Sequence, residues 1–403
     1  MRSNFTKKNF ISKSLIKKTL HIKLTKKFKK VFDKEIKEPK NLETLKILEK
    51  DFNINFNIKG LQKFKKFKTV TIIGMGGSIL GSQAVYNLLR KKIKKKFYFF
   101  DNLDTERILD FKKKQNLNQI LFIIISKSGN TIETLSNFLS LNILKKNSKN
   151  IIVISERKDN HLISIVKKFN LFYIEHKRYI GGRYSVLSEV GLLPAYLMGL
   201  NISSLRSNLK RYFKGNDKIY LKESVLKLSN LLYQRKISNL IFINYIPEME
   251  QFLYWCQQLI AESLGKNKKG FLPVVSNAPK DHHSLLQLYL DGPKDKLFHI
   301  FSLEYKLFKK INSTKVSKKL HFLNNKTLSN IKTAQKNALI KAFNKKQIPF
   351  REFKFNKLNE QVLGELFSYF ILETIIIGKV LGLNPFDQPA VEQVKIFTKD
   401  FLK

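Results

Sequence analysis

The sequence predicts an α/β protein with two doubly wound parallel-sheet subdomains and a helical C-terminal arm. Short apolar, β-branched runs alternate with segments of helical periodicity, which is the pattern of strands and helices in such folds. The run at 120–125 is apolar throughout, as expected of a strand buried on both faces. The chain has 403 residues and 43% hydrophobic content, enough for two or three folded domains at ~150 residues each.

The expected elements follow in order along the chain. In the first α/β cycle, strands are expected at 68–74, 97–100, 120–125, 151–155 and 171–174, with helices at 78–95 and 131–144. A helix at 183–200 contains Pro194, where a kink or break is expected. In the second cycle, strands are expected at 240–245, 272–276 and 298–303, with helices at 249–264, 284–290 and 328–345. The arm is expected to hold helices at 358–381 and 390–402.

These elements suggest four segments. Residues 1–60 are Lys-rich and are expected to form helices and loops. Residues 61–205 are the first α/β domain, residues 206–350 the second, and residues 351–403 the helical arm.

The charge balance is strongly basic, with 76 Lys and Arg against 31 Asp and Glu, a net +45. Such an excess favours anionic partners. However, only ten of the positive residues are Arg, the side chain suited to bidentate base recognition. The abundant Lys, Asn, Ile and Phe are all encoded by A/T-rich codons, and no helix-turn-helix or zinc-finger spacing is present. These observations argue against nucleic-acid binding, and the charge predicts a general attraction to anions such as phosphorylated metabolites.

Other features exclude further classes. A single cysteine, Cys256, rules out an internal disulfide framework and a multi-cysteine zinc site. No continuous apolar stretch of ~18 residues occurs, so no membrane span is expected. The N-terminus has no apolar run typical of a secretory signal.

The first turn that could bind a ligand is Gly74-Met75-Gly76-Gly77-Ser78, between a strand and a helix. Glycines there expose backbone N–H groups that bind phosphate or another anion. A dinucleotide site is the alternative, since Gly74 and Gly76 fit its first glycines and Asp101 fits its ribose-binding acid. Its third glycine position is Ile79, however. A plain tight turn is the remaining possibility.

The second turn is Ser126-Lys127-Ser128-Gly129-Asn130-Thr131, again between a strand and a helix. Three hydroxyls at the carboxyl end of a parallel strand suit a phosphate monoester. The chain has no GxxxxGK[ST] motif, so ATP binding is not indicated. The competing interpretation is that Asn130 or Thr131 only caps the helix, which accounts for one hydroxyl but not for three.

Six motifs in order carry a family resemblance. GMGGSILG (74–81) and SKSGNTIET (126–134) resemble the sugar-isomerase (SIS) phosphosugar-binding domain. GGRYSVLSEVGLLPA (181–195) resembles the signature of the phosphoglucose isomerase family, and three later segments match that family in the same order. These segments are QQLIAESLGK (257–266), HHSLLQL (282–288) and FDQPAVEQVK (386–395).

The resemblance implies two SIS-type subdomains that interconvert glucose 6-phosphate and fructose 6-phosphate in the cytoplasm, without a metal or organic cofactor. It implies an obligate homodimer whose neighbouring subunit contributes the histidine. The resemblance implies that Glu262 is the catalytic base, that Arg183 lies beside the enediolate, and that His283 and Lys395 act in ring opening. The implied substrate- and phosphate-binding residues are Gly77, Ser78, Ser126, Lys127, Ser128, Thr131, Gly182 and Gln388.

The chemistry is consistent with these residue types. Aldose–ketose isomerisation needs one base that takes a proton from carbon and returns it to the adjacent carbon, and Glu262 lies near the apolar face of its predicted helix. A fixed cation such as Arg183 stabilises the enediolate. An imidazole that titrates near neutrality, such as His283, suits ring opening. An isomerase that also accepts mannose 6-phosphate, a non-catalytic phosphosugar sensor and a nucleic-acid-binding protein are the alternative functions.

Overall fold

The computed structural model describes residues 5–37, 42–304, 309–313 and 316–403. Its strands are β1 (Phe5–Phe10), β2 (Thr69–Gly74), β3 (Lys96–Phe100), β4 (Ile120–Ile125), β5 (Ile151–Ser155), β6 (Phe172–Glu175), β7 (Asn239–Asn244), β8 (Leu272–Asn277), β9 (Lys296–Leu303) and β10 (Phe350–Phe355). Its α-helices are α1 (Lys18–Val31), α2 (Ile58–Leu61), α3 (Leu80–Leu88), α4 (Thr105–Lys114), α5 (Ile132–Ser140), α6 (His161–Phe169), α7 (Glu189–Leu197), α8 (Ile202–Leu205), α9 (Gly215–Gln234), α10 (Glu250–Leu264), α11 (Leu286–Asp291), α12 (Leu328–Lys345), α13 (Glu360–Val380) and α14 (Glu392–Asp400).

The first sheet is entirely parallel, in the order β3-β2-β4-β5-β6. Every residue of β4 is buried, which is why that strand has no polar alternation. The chain passes from β2 to β3 on one side and then to β4 on the other side of β2. The carboxyl ends of β2 and β4 therefore form a topological switch point, where ligands bind in open α/β sheets.

The second sheet has the order β1-β10-β9-β7-β8, with β1 antiparallel and the other four strands parallel. Here β8 and β9 lie on opposite sides of β7, so the ends of β7 and β9 form a second switch point. All eight predicted strands are observed, with their ends within two residues of the expected positions.

Two strands of the second sheet, β1 at its edge and β10 beside it, differ from the expectation. Residues 5–10, expected to be helix or loop, form β1, because the rings of Phe5 and Phe10 stack on Phe355 and Phe350 of β10 at 5.0 and 4.5 Å. The strand β10 itself occupies the start of the segment expected to be a helical arm. Both strands alternate in burial, and their Lys-rich polar faces hide the pattern.

One continuous hydrophobic core lies between the two sheets, and a smaller cluster covers the outer face of each sheet. The helix α10 packs against both α3 and α13 in this central layer. Among the described residues, α13 is the one helix long and apolar enough to cross a membrane, and 94% of its apolar window is buried inside the protein. This helix was expected at 358–381, and its buried residues place it in the protein core.

The predicted helix at 183–200 is divided, but not at the proline. A 3₁₀ segment, Gly182–Leu187, precedes α7, and Ser188 between them is extended. Pro194 lies inside α7. The break places Arg183 on the 3₁₀ segment, directly after Gly182.

Buried charges join β10 to the central layer. Arg351 is fully buried and pairs with Glu373 of α13 at 2.8 Å. Its guanidinium also donates to the hydroxyl of Tyr369, which donates in turn to Glu373 at 2.6 Å. Each buried charge thus has a partner, as burial requires, and this network holds the edge of the second sheet on α13.

Candidate active site

The two predicted turns lie side by side at the first switch point. Gly74 at the end of β2 pairs with Ile125 at the end of β4, so the 75–78 turn and the 126–131 turn leave the sheet together. The dinucleotide alternative finds no support in the geometry. Asp101 accepts a hydrogen bond from Gln83 at 2.7 Å, and Ile79 is fully buried where that motif needs a glycine.

The hydroxyls of the second turn are held within that turn. Ser126 Oγ lies 2.9 Å from Thr131 Oγ1 and accepts from the Gly129 N–H at 3.1 Å. The Ser128 hydroxyl accepts from the Asn130 N–H at 3.2 Å. Thr131 occupies the N-cap position of α5, but its side chain makes no capping hydrogen bond. The capping interpretation therefore does not explain these hydroxyls, and we call residues 126–131 the hydroxyl loop.

Gly129 and Lys127 have separate positions in this loop. Gly129 has φ of +70°, and a Cβ there would lie 1.9 Å from Asn160 Oδ1, so only glycine fits. The Lys127 ammonium donates to the Arg178 carbonyl at 2.9 Å and lies 3.4 Å from a Glu156 carboxylate oxygen. Burial lowers the pKa of Lys127. Its charge is thus directed at Glu156 rather than at the hydroxyls.

The glycine turn after β2 packs closely on the 3₁₀ segment. A Cβ on Gly77 would lie 2.2 Å from the carbonyl carbon of Gly182 and 2.5 Å from the Arg183 nitrogen. Gly76 has φ of +52°, and a Cβ there would lie 2.7 Å from Gln258 Nε2. The neighbouring Ser78 is half-buried and ends the turn. This turn therefore lies between the hydroxyl loop and the side chains of α10.

Replacing Gly77 by Ala should destabilise the protein, because the new methyl group meets main-chain atoms that cannot rotate away. We expect a loss of about 1–3 kcal/mol in the free energy of unfolding, as for other overpacked sites. Urea unfolding measures it. Gly182→Ala is the matched control, since nothing lies within 4 Å of a Cβ at Gly182. Equal stability of the two variants would contradict the close packing.

Arg183 is the most highly connected side chain of the site, and it is only 2% exposed. Its Nε donates to Ser263 Oγ at 2.8 Å. Its Nη1 lies 2.8 Å from Glu262 Oε1 and donates to Gln388 Oε1 at 2.9 Å. Its Nη2 donates to the carbonyl oxygens of Pro385 and Asp387 at 2.6 and 3.2 Å. The guanidinium therefore joins α10 to the segment before α14.

Glu262 lies in the last turn of α10, one residue before Ser263. Its Oε2 accepts from Gln258 Nε2 at 3.0 Å, while its Oε1 faces Arg183. The side chain is 23% exposed, so the carboxylate is fixed from two sides and still accessible to a small molecule. Three predicted residues, Arg183, Glu262 and Gln388, thus meet at one point.

Two other predicted residues lie apart from this point. His283 is exposed and follows β8, at the edge of the second sheet. Among the described residues, no hydrogen bond or ion pair links its side chain to Glu262 or Arg183. Lys395 is 59% exposed and pairs with Glu392 within α14 at 2.6 Å. That helix has no buried residue.

The sequence analysis missed three side chains that organise the site. Gln258 lies four residues before Glu262, so helical spacing alone indicates their contact. Ser263 and Tyr184 were also missed: the two hydroxyls lie 2.8 Å apart, and the Tyr184 hydroxyl donates to the Pro385 carbonyl at 2.7 Å. Complete burial raises the pKa of Tyr184, so this phenol remains a neutral hydrogen-bonding anchor.

The paired sheets, the hydroxyl loop and the adjoining carboxylate are those of a phosphosugar isomerase of the α/β class. A family model described as phosphoglucose isomerase matches residues 40–270. A glucose-6-phosphate isomerase from Methanocaldococcus jannaschii is 34% identical over 356 residues, which cover 84% of this chain and 86% of the relative. A glucose-6-phosphate isomerase from Campylobacter jejuni is 30% identical over 368 residues, which cover 87% of this chain and 89% of the relative. The chain belongs to the phosphoglucose isomerase family.

Solved structures agree on the fold. A hypothetical protein from Thermus thermophilus superposes with a TM-score of 0.81, at 24% identity and 96% coverage of both chains. A glucose-6-phosphate isomerase from Chlamydia trachomatis has a TM-score of 0.69, at 19% identity, and covers 85% of this chain and 71% of its own. The predicted fold class, with two parallel-sheet subdomains and a helical C-terminal region, is confirmed.

Proposed function

We propose that this chain catalyses the reversible isomerisation of glucose 6-phosphate and fructose 6-phosphate in glycolysis and gluconeogenesis. The observation that carries the proposal is the Glu262 carboxylate, held at 2.8 Å by the buried Arg183 guanidinium beside the Gly76-Gly77 turn. Family membership supports it, because the M. jannaschii and C. jejuni relatives bear the name of this activity.

The phosphate binds first, at the hydroxyl loop. Ser126, Ser128 and Thr131 supply hydroxyls, and the first turn of α5 supplies N–H groups and the positive end of the helix dipole. The backbone of Gly77 and the side chain of Ser78 contact the ligand from the neighbouring turn. Lys127 contributes positive potential at the rim of this loop.

Proton transfer follows at the other side of the glycine turn. Glu262 removes the C2 proton of the open-chain aldose, the electrons move into the C1 carbonyl, and a cis-enediolate forms. Arg183 stabilises its negative charge from a fixed position that needs no reorganisation. A proton moves from the C2 hydroxyl to the C1 oxygen of the enediolate. Glu262 then returns a proton to C1, and the C2 oxygen becomes the carbonyl of the ketose. Gly182 and Gln388 hold the sugar hydroxyls beside the guanidinium.

Ring opening precedes this transfer, and we assign it to His283 and Lys395. Opening moves a proton from the C1 hydroxyl to the ring oxygen, which suits an imidazole. Because His283 lies at the edge of the other sheet, the proposal places it in the neighbouring subunit of a cytoplasmic homodimer. Exposed apolar side chains in and directly after α14, among them Phe397 and Phe401, favour such an association. Sedimentation equilibrium should give twice the chain mass of 47.2 kDa.

The direct test is turnover of fructose 6-phosphate, coupled to glucose-6-phosphate dehydrogenase. We expect NADPH formation in proportion to the chain concentration. Absence of turnover by the folded protein would contradict the enzymatic proposal and favour the alternative function of a phosphosugar sensor.

The hydroxyl loop is tested by Ser128→Asp, which places a carboxylate against the dianionic phosphate. We expect the KM to rise at least about tenfold, because like charges in contact cost several kcal/mol, with a smaller effect on kcat. Asn118→Asp is the matched control, since exposed Asn118 precedes β4 at the opposite end of that strand. If the two variants raise the KM equally, the phosphate binds elsewhere.

A further inference from the structure

The second sheet has a cavity at the position that corresponds to the hydroxyl loop of the first. In the first sheet, β4 leads to α5 beside β2. In the second sheet, β9 leads to α12 beside β7. At this second switch point lies a cavity of about 270 Å³, whose lining includes Ser302, Ser329, Lys332, Thr333, Lys336 and Lys354.

The lining repeats the chemistry of a phosphate site. It carries three hydroxyls of Ser and Thr and three lysines against one carboxylate. The α12 residues at 329, 332, 333 and 336 follow helical spacing, so the helix turns one polar face to the cavity. A cavity of this size is small for a cofactor site and has room for a phosphate group on a short polyol.

Ser302 gives an independent indication of a ligand. The residue is 8% exposed, lines the cavity, and its Oγ has no hydrogen-bond partner. A buried hydroxyl without a partner costs free energy, and a ligand oxygen in the cavity would satisfy it.

The charges of the lining are already positioned. Lys336 pairs with Glu352 at 2.8 Å, and Lys354 pairs with Glu304. Lys332 donates to the Tyr245 carbonyl at 3.1 Å. These contacts fix the ammonium groups along the wall before any ligand arrives, which reduces the entropy lost on binding.

We propose that this cavity is a second phosphate site, which takes a small phosphate monoester and is separate from the reaction site. Two observations carry the proposal: the Ser302 hydroxyl is buried without a partner, and lysines line the cavity at the switch point. It does not depend on the activity proposed above, because none of the lining residues belongs to the proposed reaction site.

The test counts bound glycerol 3-phosphate by calorimetric titration at ~150 mM salt, where weak surface attraction is screened. The unmodified chain should bind two molecules. Ser128→Asp should bind one, which isolates the second site. In that background, Lys332→Glu should weaken the remaining binding at least tenfold, and Lys332→Gln should weaken it less.

Lys341→Glu is the matched control, because exposed Lys341 lies on the same helix and does not line the cavity. It should retain the second site. Equal weakening by Lys332→Glu and Lys341→Glu, or no binding to the Ser128→Asp chain, would overturn the proposal. If the hydroxyl loop were not a phosphate site, the unmodified chain would bind one molecule, and Lys332→Glu would still weaken that binding at least tenfold.

Discussion

Replacing Glu262 by Gln is expected to lower kcat for fructose 6-phosphate by about 10²–10⁴-fold, the usual contribution of a general base. The amide keeps the shape of the carboxylate but cannot accept the carbon-bound proton. Its carbonyl oxygen can still accept from Arg183, and rotation of the Gln258 amide restores the second contact, since Gln258 Oε1 is buried without a partner. The coupled assay measures kcat, and titration with fructose 6-phosphate should give a nearly unchanged Kd.

Glu223→Gln is the control for this substitution. Glu223 is exposed on α9 and pairs with Lys227 at 2.7 Å, a surface contact that contributes little to stability. This variant should retain full activity. A Glu262→Gln protein that keeps more than about a tenth of the kcat would assign the base to another residue.

Replacing Arg183 by Met is expected to impair both catalysis and stability. Loss of the fixed cation should reduce kcat/KM by about 10²–10³-fold, the range for removing one stabilising donor from a developing anion. The same change removes the five hydrogen-bond and ion-pair contacts of Arg183, which reach Ser263, Glu262, Gln388 and the carbonyls of Pro385 and Asp387. The loss in unfolding free energy should fall below the ~3–5 kcal/mol of a fully buried pair, because Glu262 keeps contact with solvent.

Two companion variants separate these effects. Arg183→Lys keeps the charge but not the planar fork of donors. We therefore expect its stability and activity to lie between those of the Arg183→Met variant and those of the unmodified chain. Arg178→Met removes an exposed arginine of the same region and should change neither. If Arg183→Met lost stability while kcat/KM stayed normal, the guanidinium would be structural only.

The central strands could be predicted from sequence because burial on both faces leaves a continuous apolar run. The strands β1 and β10 could not. Lysines stand among the aromatic residues of both strands, and Arg351 of β10 is charged although it is fully buried, so neither strand forms a continuous apolar run. Their pairing also joins two segments that are far apart in sequence, since Phe5 pairs with Phe355. Such a contact leaves no local signal in either segment.

The site was predicted in the same uneven way. The hydroxyl loop follows one strand, so its residues are neighbours in sequence. The meeting of Arg183, Glu262 and Gln388 joins three distant segments, and only the family resemblance selected these residues. Ser263 and Tyr184 act through hydroxyls that any polar neighbour could supply, so no pattern distinguished them. The roles of His283 and Lys395 stay predictions.

The account rests on proton transfer between carbons by Glu262, and isomerisation in D₂O tests that step most directly. With fructose 6-phosphate as substrate, the glucose 6-phosphate formed should carry solvent deuterium at C2, detected by NMR or mass spectrometry. The Glu262→Gln protein, at equal concentration and with its fold intact, should incorporate none above the uncatalysed background. Undiminished incorporation by that variant would contradict the assignment of the base, and a lack of glucose 6-phosphate formation by the unmodified protein would contradict the isomerase itself.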